Sequence, residues 1–488
     1  MDLSENLLLL ASVLVFFAIL INKFGNKMGA PSLLLFLVLG MVAGEGGFGL
    51  KFDDYEVAES IGHFAMTIIL FAGGLQTSLK ETKPVMWQGI MLSTLGVLLT
   101  TFLTGGFIYF VAKGFTGGLS VPFWGCILLA AIMSSTDSAS VFSVLHGKRL
   151  HLRENLGPLL EFESGSNDPM AYLLTIIFVN LLTSIKAVGA TTWSLIGNAA
   201  LVFVVQLAVG FAVGFAVGYG AKWVLERINL ASHSLYSILI LSIAFFANGL
   251  ASLLHGNGLL AIYLVAIIIS NKVNIPQKRD VHKFFEGMTW LMQLLMFLML
   301  GLLASPSQMM KVLLIALLIG AFLIFVARPA SVFITLLPFR KLSFKAKAFI
   351  SWVGLKGAGP ILFSLCPVVA GLEGSTSIFN IVFCITLLSL LLQGMTLTPV
   401  AKKLDLSYEA DPEVETYGME IPEEMGMLRD HVVEEAELEG GDTLRDLHLP
   451  HGIRVVMIRR DDKFLVPHGS MKLIPGDRLL IMMGESDD

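Results

Sequence analysis

AAIMSSTDSASVF, residues 130–142, sets Ser134, Ser135, Thr136, Asp137 and Ser138 in the middle of an otherwise apolar run. A charged group inside a membrane-length segment costs at least about 2.5 kcal/mol on insertion scales, so it marks a partner, a water-filled cavity or a site. The feature recurs in LLEFESGSNDPM, residues 159–170, which carries Glu161, Glu163 and Asp168. It appears again in SWVGLKGAGPI, residues 351–361, where Lys356 stands among Gly354, Gly357, Gly359 and Pro360. A run of hydroxyls around an aspartate and a glycine–proline cluster around a lysine both interrupt a helix. The two segments therefore read as broken spans, the devices from which membrane transporters build midplane sites.

The rest of the chain fits a membrane bundle. Of 488 residues 55% are hydrophobic and 15% charged, with a mean hydropathy of +0.77; soluble domains average about 25% charged residues. The net charge of −5 says little by itself. Apolar blocks separated by polar breaks divide the first 403 residues into about thirteen spans, each near the length that a bilayer requires. The fifth (121–146), sixth (154–184) and twelfth (346–370) hold the charged stretches, and the second (31–46) and ninth (257–271) are short. With the fourth to sixth and the eleventh to thirteenth spans as inverted repeats, the breaks fall in matching positions. The expected fold is an all-α polytopic membrane protein of about thirteen transmembrane helices, with inverted repeats and two broken crossing helices.

Basic residues support this division. Alternate loops carry clusters such as Lys148, Arg149 and Arg153, Lys272, Lys278, Arg279 and Lys283, and Arg340, Lys341, Lys345 and Lys347. The loops between them hold only Lys51, Lys113, Lys186 and Lys311. Lys and Arg enrichment marks the cytoplasmic side, which puts the C-terminus in the cytoplasm and the N-terminus outside. MDLSENLLLL lacks a basic n-region, so the first span reads as retained and not as a cleaved signal. Cys126, Cys366 and Cys384 lie in apolar segments without metal-ligand spacing, and packing is their expected role. His63 and His255 are likewise assigned to packing or cavity lining.

The chain divides into a transmembrane domain (1–403), an acidic linker (404–429) and a small α+β cytosolic module (430–488). RVVMIRR (454–460), FLVP (464–467) and RLLIMM (478–483) read as short strands, with Pro475-Gly476-Asp477 as a turn.

On the sixth span Glu163 and Asn167 are four apart, as are Ser164 and Asp168, so each pair stacks on one helical row. The span thus offers two carboxylates, an amide and a hydroxyl over little more than one turn. Oxygen ligands suit a hard monovalent cation, and a carboxylate can exchange that cation for a proton. Pro169 removes a backbone hydrogen bond beside the cluster. Glu161 lies nearer the cytoplasmic end, where water reaches it. The bland alternative is a buried polar network that only pins helices together. Around the second break the bland alternative is close packing of small residues, which explains the glycines but not Lys356, placed with Asp137 to offset the partial charges of opposed half-helix ends.

In this order along the chain, STD (135–137), ESGSNDP (163–169), FVARP (325–329) and GLKG (354–357) resemble the NhaP/NHE-type monovalent cation:proton antiporters. The resemblance spans about residues 1–403 and is specific as a set. It implies that Asp168 binds the cation and the proton alternately. Thr136 and Asp137 belong to the unwound helix, and Ser164 completes the ion/proton-binding group. Glu163, Asn167 and Arg328 form a site-orienting network. Lys356 stands where the family usually has arginine, as the broken-helix charge compensation. An Asn-Asp pair in place of Asp-Asp implies one-for-one electroneutral exchange. The tail, through GGDTLRDLHLPHGIRVVMIRR (440–460) and PHGSMKLIPGDRLLIM (467–482), resembles the C-terminal lobe of TrkA/RCK regulatory modules. That combination points to the bacterial potassium/proton branch of the family, with a small regulatory ligand such as a nucleotide at the tail. NAD is not expected, because no GxGxxG follows a strand there. A homodimer in the inner membrane, in contact with lipid and not with nucleic acid, completes the expectation.

Three rival readings remain at this point. Besides a Na+/H+ exchanger of the same fold, a passive cation channel gated by the tail would need a selectivity sequence such as TVGYG, which the chain lacks. An intramembrane enzyme would need an HExxH or GxSxG motif, also lacking. A purely regulatory sensor would not need the membrane carboxylates. No catalytic residue and no resident metal are expected; the only metal is the transported monovalent cation at Asp168.

Overall fold

The computed structural model describes residues 12–21, 23, 32–50, 52–114, 122–146, 150–189, 193–230, 232, 234–274, 278–409, 428–433, 435–438, 441–447, 453–460 and 463–483. The N-terminal part of the first expected span and most of the acidic linker lie outside these residues. Two compact units emerge, Met1–Tyr408 and Glu409–Asp488.

In the first unit, eight helices among the described residues are long and apolar enough to cross a membrane, and five shorter apolar helices accompany them. In chain order, α1 (Ser12–Ile21), α2 (Ser32–Ala43), α3 (Tyr55–Gln76) and α4 (Leu79–Lys113) lead to a split pair, α5 (Phe123–Ile132) and α6 (Ser138–His146). Next come α7 (Leu156–Val188), α8 (Trp193–Leu225), α9 (Ser234–Leu253), α10 (Gly258–Lys272), α11 (Lys278–Leu303) and α12 (Pro306–Thr335). A second split pair, α13 (Phe344–Trp352) and α14 (Ala358–Val369), precedes α15 (Ser375–Lys403). Each split pair fills one expected span. The short second and ninth segments correspond to α2 and α10.

Local chemistry sets several helix starts. Asp54 and Asn257 accept the Val57 and Leu260 N–H groups, and Ser343 accepts that of Ala346, each at 3.0 Å. Such caps satisfy donors that the first helical turn leaves open.

Packing separates two groups of helices. α3 lies on α10 and α11, α2 lies on α11, and α8 lies on α10. In the other group α4 packs on α5, α5 on α7, and α12 on α15. The repeated triplets share their irregularities. α4 and α12, the first helices of each, contain π turns at Leu92–Gly96 and Leu323–Ala327. The second span of each is the broken one. The two π turns are neighbours, because the Ser331 hydroxyl, three residues beyond Arg328, donates to the Gly96 carbonyl at 2.6 Å. A π turn frees backbone carbonyls from the helical ladder, and here the opposite triplet supplies a donor.

The second unit is a four-stranded antiparallel sheet, with Leu428–Val432, Arg478–Met483, Ile453–Arg460 and Lys463–Leu465 side by side in that order. Its core is Val433, Leu447, Ile458, Leu473, Leu479 and Ile481. The strand Leu428–Val432 begins inside the stretch read as linker. LRDHV carries three polar residues, and its pairing with Arg478–Met483 forms it where its own hydrophobicity would not. At the turn before the last strand, Arg460 donates to both Asp477 oxygens at 2.9 and 2.7 Å, and the Ile474 N–H adds a third bond at 2.9 Å. Burial works to raise the Asp477 carboxyl, but the Arg460 guanidinium and that amide outweigh it and hold the group below the usual carboxylate range.

A carboxylate with a depressed folded pKa stabilises above its unfolded value, about 3.9 for Asp, and loses that contribution as pH falls through the lower folded value. The tail should therefore keep its urea midpoint, followed by pulse proteolysis, from neutral pH down to about pH 4 and lose it below. In Asp477→Asn the midpoint should start lower and fall less steeply over the same acid range.

Candidate functional site

The two breaks cross, and the strongest constraint on them is their own backbone. A peptide group outside the helical ladder and out of reach of water needs another partner. Residues 133–137 and 353–357 supply such groups; local turns satisfy some, and others find partners on the other break and on two neighbouring spans. The Asp137 N–H donates to the Leu355 carbonyl at 2.8 Å. The Lys356 ammonium donates to the Ser135 carbonyl at 2.7 Å, so the cation of one break sits on the open carbonyl end of the other. From α15, the Ser389 hydroxyl accepts the Lys356 N–H at 2.9 Å, and the Gln393 amide donates to the Trp352 carbonyl at 2.8 Å. From α7, Ser164 donates its hydroxyl to the Thr136 carbonyl at 2.7 Å.

Asp137 turns to the helix that follows it. Its carboxylate accepts the Ser140 N–H at 3.1 Å and the Ser140 hydroxyl at 2.5 Å, in the manner of an N-cap. The crossing is tight at this point. A Cβ on Gly357 would lie 2.1 Å from Asp137 Oδ2, so any side chain there would have to displace the Asp137 carboxylate.

Asp168 enters from α7 beside Gly359, whose Cβ would lie 3.7 Å from Asp168 Oδ1. The Ser135 hydroxyl donates to Asp168 Oδ1. Among the described residues the other oxygen, Oδ2, accepts no hydrogen bond. Ser135 thus holds Lys356 through its carbonyl and Asp168 through its hydroxyl.

Glu163 and Arg328 form a buried ion pair at 2.5 Å, with side chains only 1% and 5% exposed. Arg328 follows the π turn of α12 directly, and its Nε lies 3.0 Å from where a Gly354 Cβ would stand. The pair therefore packs against the second break.

All eight residues singled out from the sequence are brought together, with Glu163 on Arg328 as expected but with other connections that differ. Asn167 does not join Glu163 and Arg328: its amide nitrogen donates to Thr136 Oγ1 at 2.5 Å and its oxygen receives the Thr136 N–H at 3.4 Å. The reason is the unwinding, which leaves the Thr136 peptide open to a two-point amide clamp. Thr136 Oγ1 is consequently engaged by Asn167, and the hydroxyl on Asp168 belongs to Ser135. Ser135, Ser389 and Gln393 were not singled out as site residues. Ser135 stood within the quoted STD piece, whereas Ser389 and Gln393 gave no signal beyond being polar in an apolar span. Glu161 is half-buried, one turn away from the cluster.

His63 and Cys366 do pack, Cys366 in the core and His63 against Tyr172, and they also meet a carboxylate. A Glu59 oxygen, a His63 ring nitrogen and the Cys366 sulfur all lie within 4.8 Å of one another. Three hundred residues of sequence separate the cysteine from the other two, and spacing along the chain cannot show the group.

A crossed pair of interrupted helices around membrane carboxylates defines a secondary transporter, a protein that carries ions and does not transform them. The fold is shared with the sodium proton antiporter MjNhaP1 from Methanocaldococcus jannaschii, which superposes with a TM-score of 0.70 over 83% of this chain and 99% of that one, at 20% identity. The chain belongs to the sodium/hydrogen exchanger family of transmembrane proteins, which matches residues 12–403, and a TrkA-C domain matches residues 432–487. It is 34% identical to the K(+)/H(+) antiporter NhaP2 of Shewanella oneidensis over 99% of this chain and 82% of that protein. It is 26% identical to the Na(+)/H(+) antiporter NhaP of Pseudomonas aeruginosa, over 72% and 82% respectively.

Two substitutions test the geometry. Arg328→Ala leaves Glu163 buried without its partner and should cost about 3–5 kcal/mol, read as lost yield and a lowered thermal midpoint. Replacing both partners, Glu163→Leu with Arg328→Met, should recover most of that loss. Gly357→Ala should instead fold near normally and lose most exchange activity, because the methyl group displaces Asp137.

Proposed function

We propose that the chain exchanges K+ for H+, one for one, by competition of the two ions for the Asp168 carboxylate. The observation that carries this reading is the state of that carboxylate. The other charged groups of the crossing each have a hydrogen-bonded partner: Glu163 has Arg328, Asp137 the start of a helix, and Lys356 a carbonyl end. Asp168 receives a single neutral hydroxyl and keeps an oxygen open. A dehydrated cation bound there gains further oxygens from Ser135 and from the backbone of the broken fifth span. The proton takes the same place when the cation leaves, and sharing one group couples the two fluxes. Access then alternates as α4–α7 and α12–α15 move against the helices around α3, α10 and α11.

Potassium is preferred over sodium because the likeness to the potassium antiporter extends over the whole chain, tail included. A sodium exchanger of the same fold is the second reading, favoured by the Pseudomonas relative. The distribution of basic loops supports a bacterial inner-membrane protein with its N-terminus outside and its tail in the cytoplasm. The tail is proposed to bind a small regulatory ligand such as a nucleotide, and the protein to work as a homodimer.

In everted vesicles, adding KCl should collapse a preformed proton gradient with the native chain. Asp168→Asn, present at equal level, should show no cation-driven proton movement; retained movement would remove Asp168 from the mechanism. Proteoliposomes given KCl, NaCl or LiCl decide the cation.

A further inference from the structure

We propose that Glu59, His63 and Cys366 form a binding site for a zinc-like divalent cation, and that the bound metal clamps α14 to α3 and stops exchange. The clamp rests on the alternating-access reading above; the site does not.

Glu59 and His63 are four residues apart on α3 and therefore face the same side of that helix. Cys366 comes from α14, one turn beyond Leu362. The two helices approach closely between these residues, since a Cβ on Gly62 would lie 2.1 Å from Leu362 Cδ1. The approach brings the three ligand atoms within 4.8 Å of one another. A tetrahedral zinc with sulfur at about 2.3 Å and nitrogen at about 2.0 Å needs its ligands roughly 3.5 Å apart, so a side-chain adjustment of about 1 Å closes the set. Thiolate, imidazole and carboxylate together select Zn2+ or Cd2+ over the alkali cations, which prefer oxygen alone. Three protein ligands leave a fourth position for water.

The surroundings suit a metal that arrives from solution. Glu59 and His63 are half-buried, while Cys366 is buried beneath them. A cavity lined by Asp53, Asp54, Tyr55, Glu56, Val368 and Val369 opens at the same ends of α3 and α14, offering carboxylates along the approach. The His63 ring meets that of Tyr172 edge-on, at 5.0 Å between centroids, which fixes one face of the imidazole.

Location gives the site its consequence. α3 packs with α10 and α11, whereas α14 carries the second break and packs with α15 and α7 as well as with α3 and, less, with α11 and α5. A metal bonded to both helices links the helices that hold Asp168 to those that do not. Relative motion of the two groups would have to break a metal–ligand bond.

Cd2+ titrated into the purified full-length chain should give a thiolate-to-metal absorption band that saturates at one ion per chain. The band should persist in the Cys126→Ser, Cys384→Ser double variant and vanish in Cys366→Ser. Affinity should fall at least about tenfold in His63→Gln, a loss of the size that even outer-shell changes cause. No band, or a band that survives Cys366→Ser, would overturn the site. Zn2+ added on the side of the Asp53–Asp54 loop should abolish exchange in the native chain and leave Cys366→Ser running at its metal-free rate. Saturated Cd2+ binding without inhibition would overturn the clamp. A chain that performs no exchange at all would overturn the transport reading instead, and the absorption titration would still decide the site.

Discussion

The contact between the Lys356 ammonium and the Ser135 carbonyl is the interaction on which the transmembrane unit depends. Breaking a helix inside a membrane exposes peptide groups at several kcal/mol each unless other donors and acceptors replace the lost ladder. Here each break serves the other. Leu355 takes the Asp137 N–H, and Lys356 supplies a cation where the first half-helix ends in open carbonyls. A buried lysine is costly alone, and a carbonyl end is costly alone; together they offset. The polar residues of α7 and α15 then complete the accounting, Ser164 and Asn167 at Thr136, Ser389 and Gln393 at the second break.

From that constraint the character of Asp168 follows. Its neighbours Ser164 and Asn167, on the same turn, are occupied in satisfying the unwound backbone. What reaches the carboxylate is the leftover hydroxyl of Ser135, the residue whose carbonyl Lys356 already holds. The site is therefore rigid where it is paired and open where it is not. That is the arrangement an exchanged ligand requires, since a fully bonded carboxylate would have to give up a protein partner at each turnover.

Much of this was legible in the sequence, for a physical reason. Charges inside apolar spans are expensive enough that each one announces itself, which is why Asp137, Asp168, Arg328 and Lys356 could be read without coordinates. The three-residue count of polar groups in LRDHV hid a strand, because sheet pairing supplied what hydrophobic alternation did not. Neutral polar residues were harder still. Ser389 and Gln393 cost little to bury and carry no charge, so nothing distinguished them from residues that bond their own helix. Asn167 was recognised but joined to the wrong partners, since helical spacing shows which side chains share a row and not which backbone has unwound beside them. Glu59, His63 and Cys366 form a group only because Gly62 lets α14 approach, and a glycine in a span is equally a sign of close packing anywhere.

The charge balance of the crossing bears on why a single carboxylate would suffice. Glu163 and Arg328 cancel within 2.5 Å. Lys356 and Asp137 are held by helix ends of opposite sign, so neither is free to leave its post. On the proposed mechanism the charge that changes with the cargo is that of Asp168. On the proposed one-for-one exchange, a bound proton and a bound monovalent cation both neutralise it, and the helices carrying the site have the same net charge in either loaded state. The electrostatic cost of moving them is then equal in both directions. An empty, ionised Asp168 adds an uncompensated charge to the moving part, and its burial cost opposes movement without cargo. On that proposal coupling arises from this asymmetry between loaded and empty states and requires no second ion site.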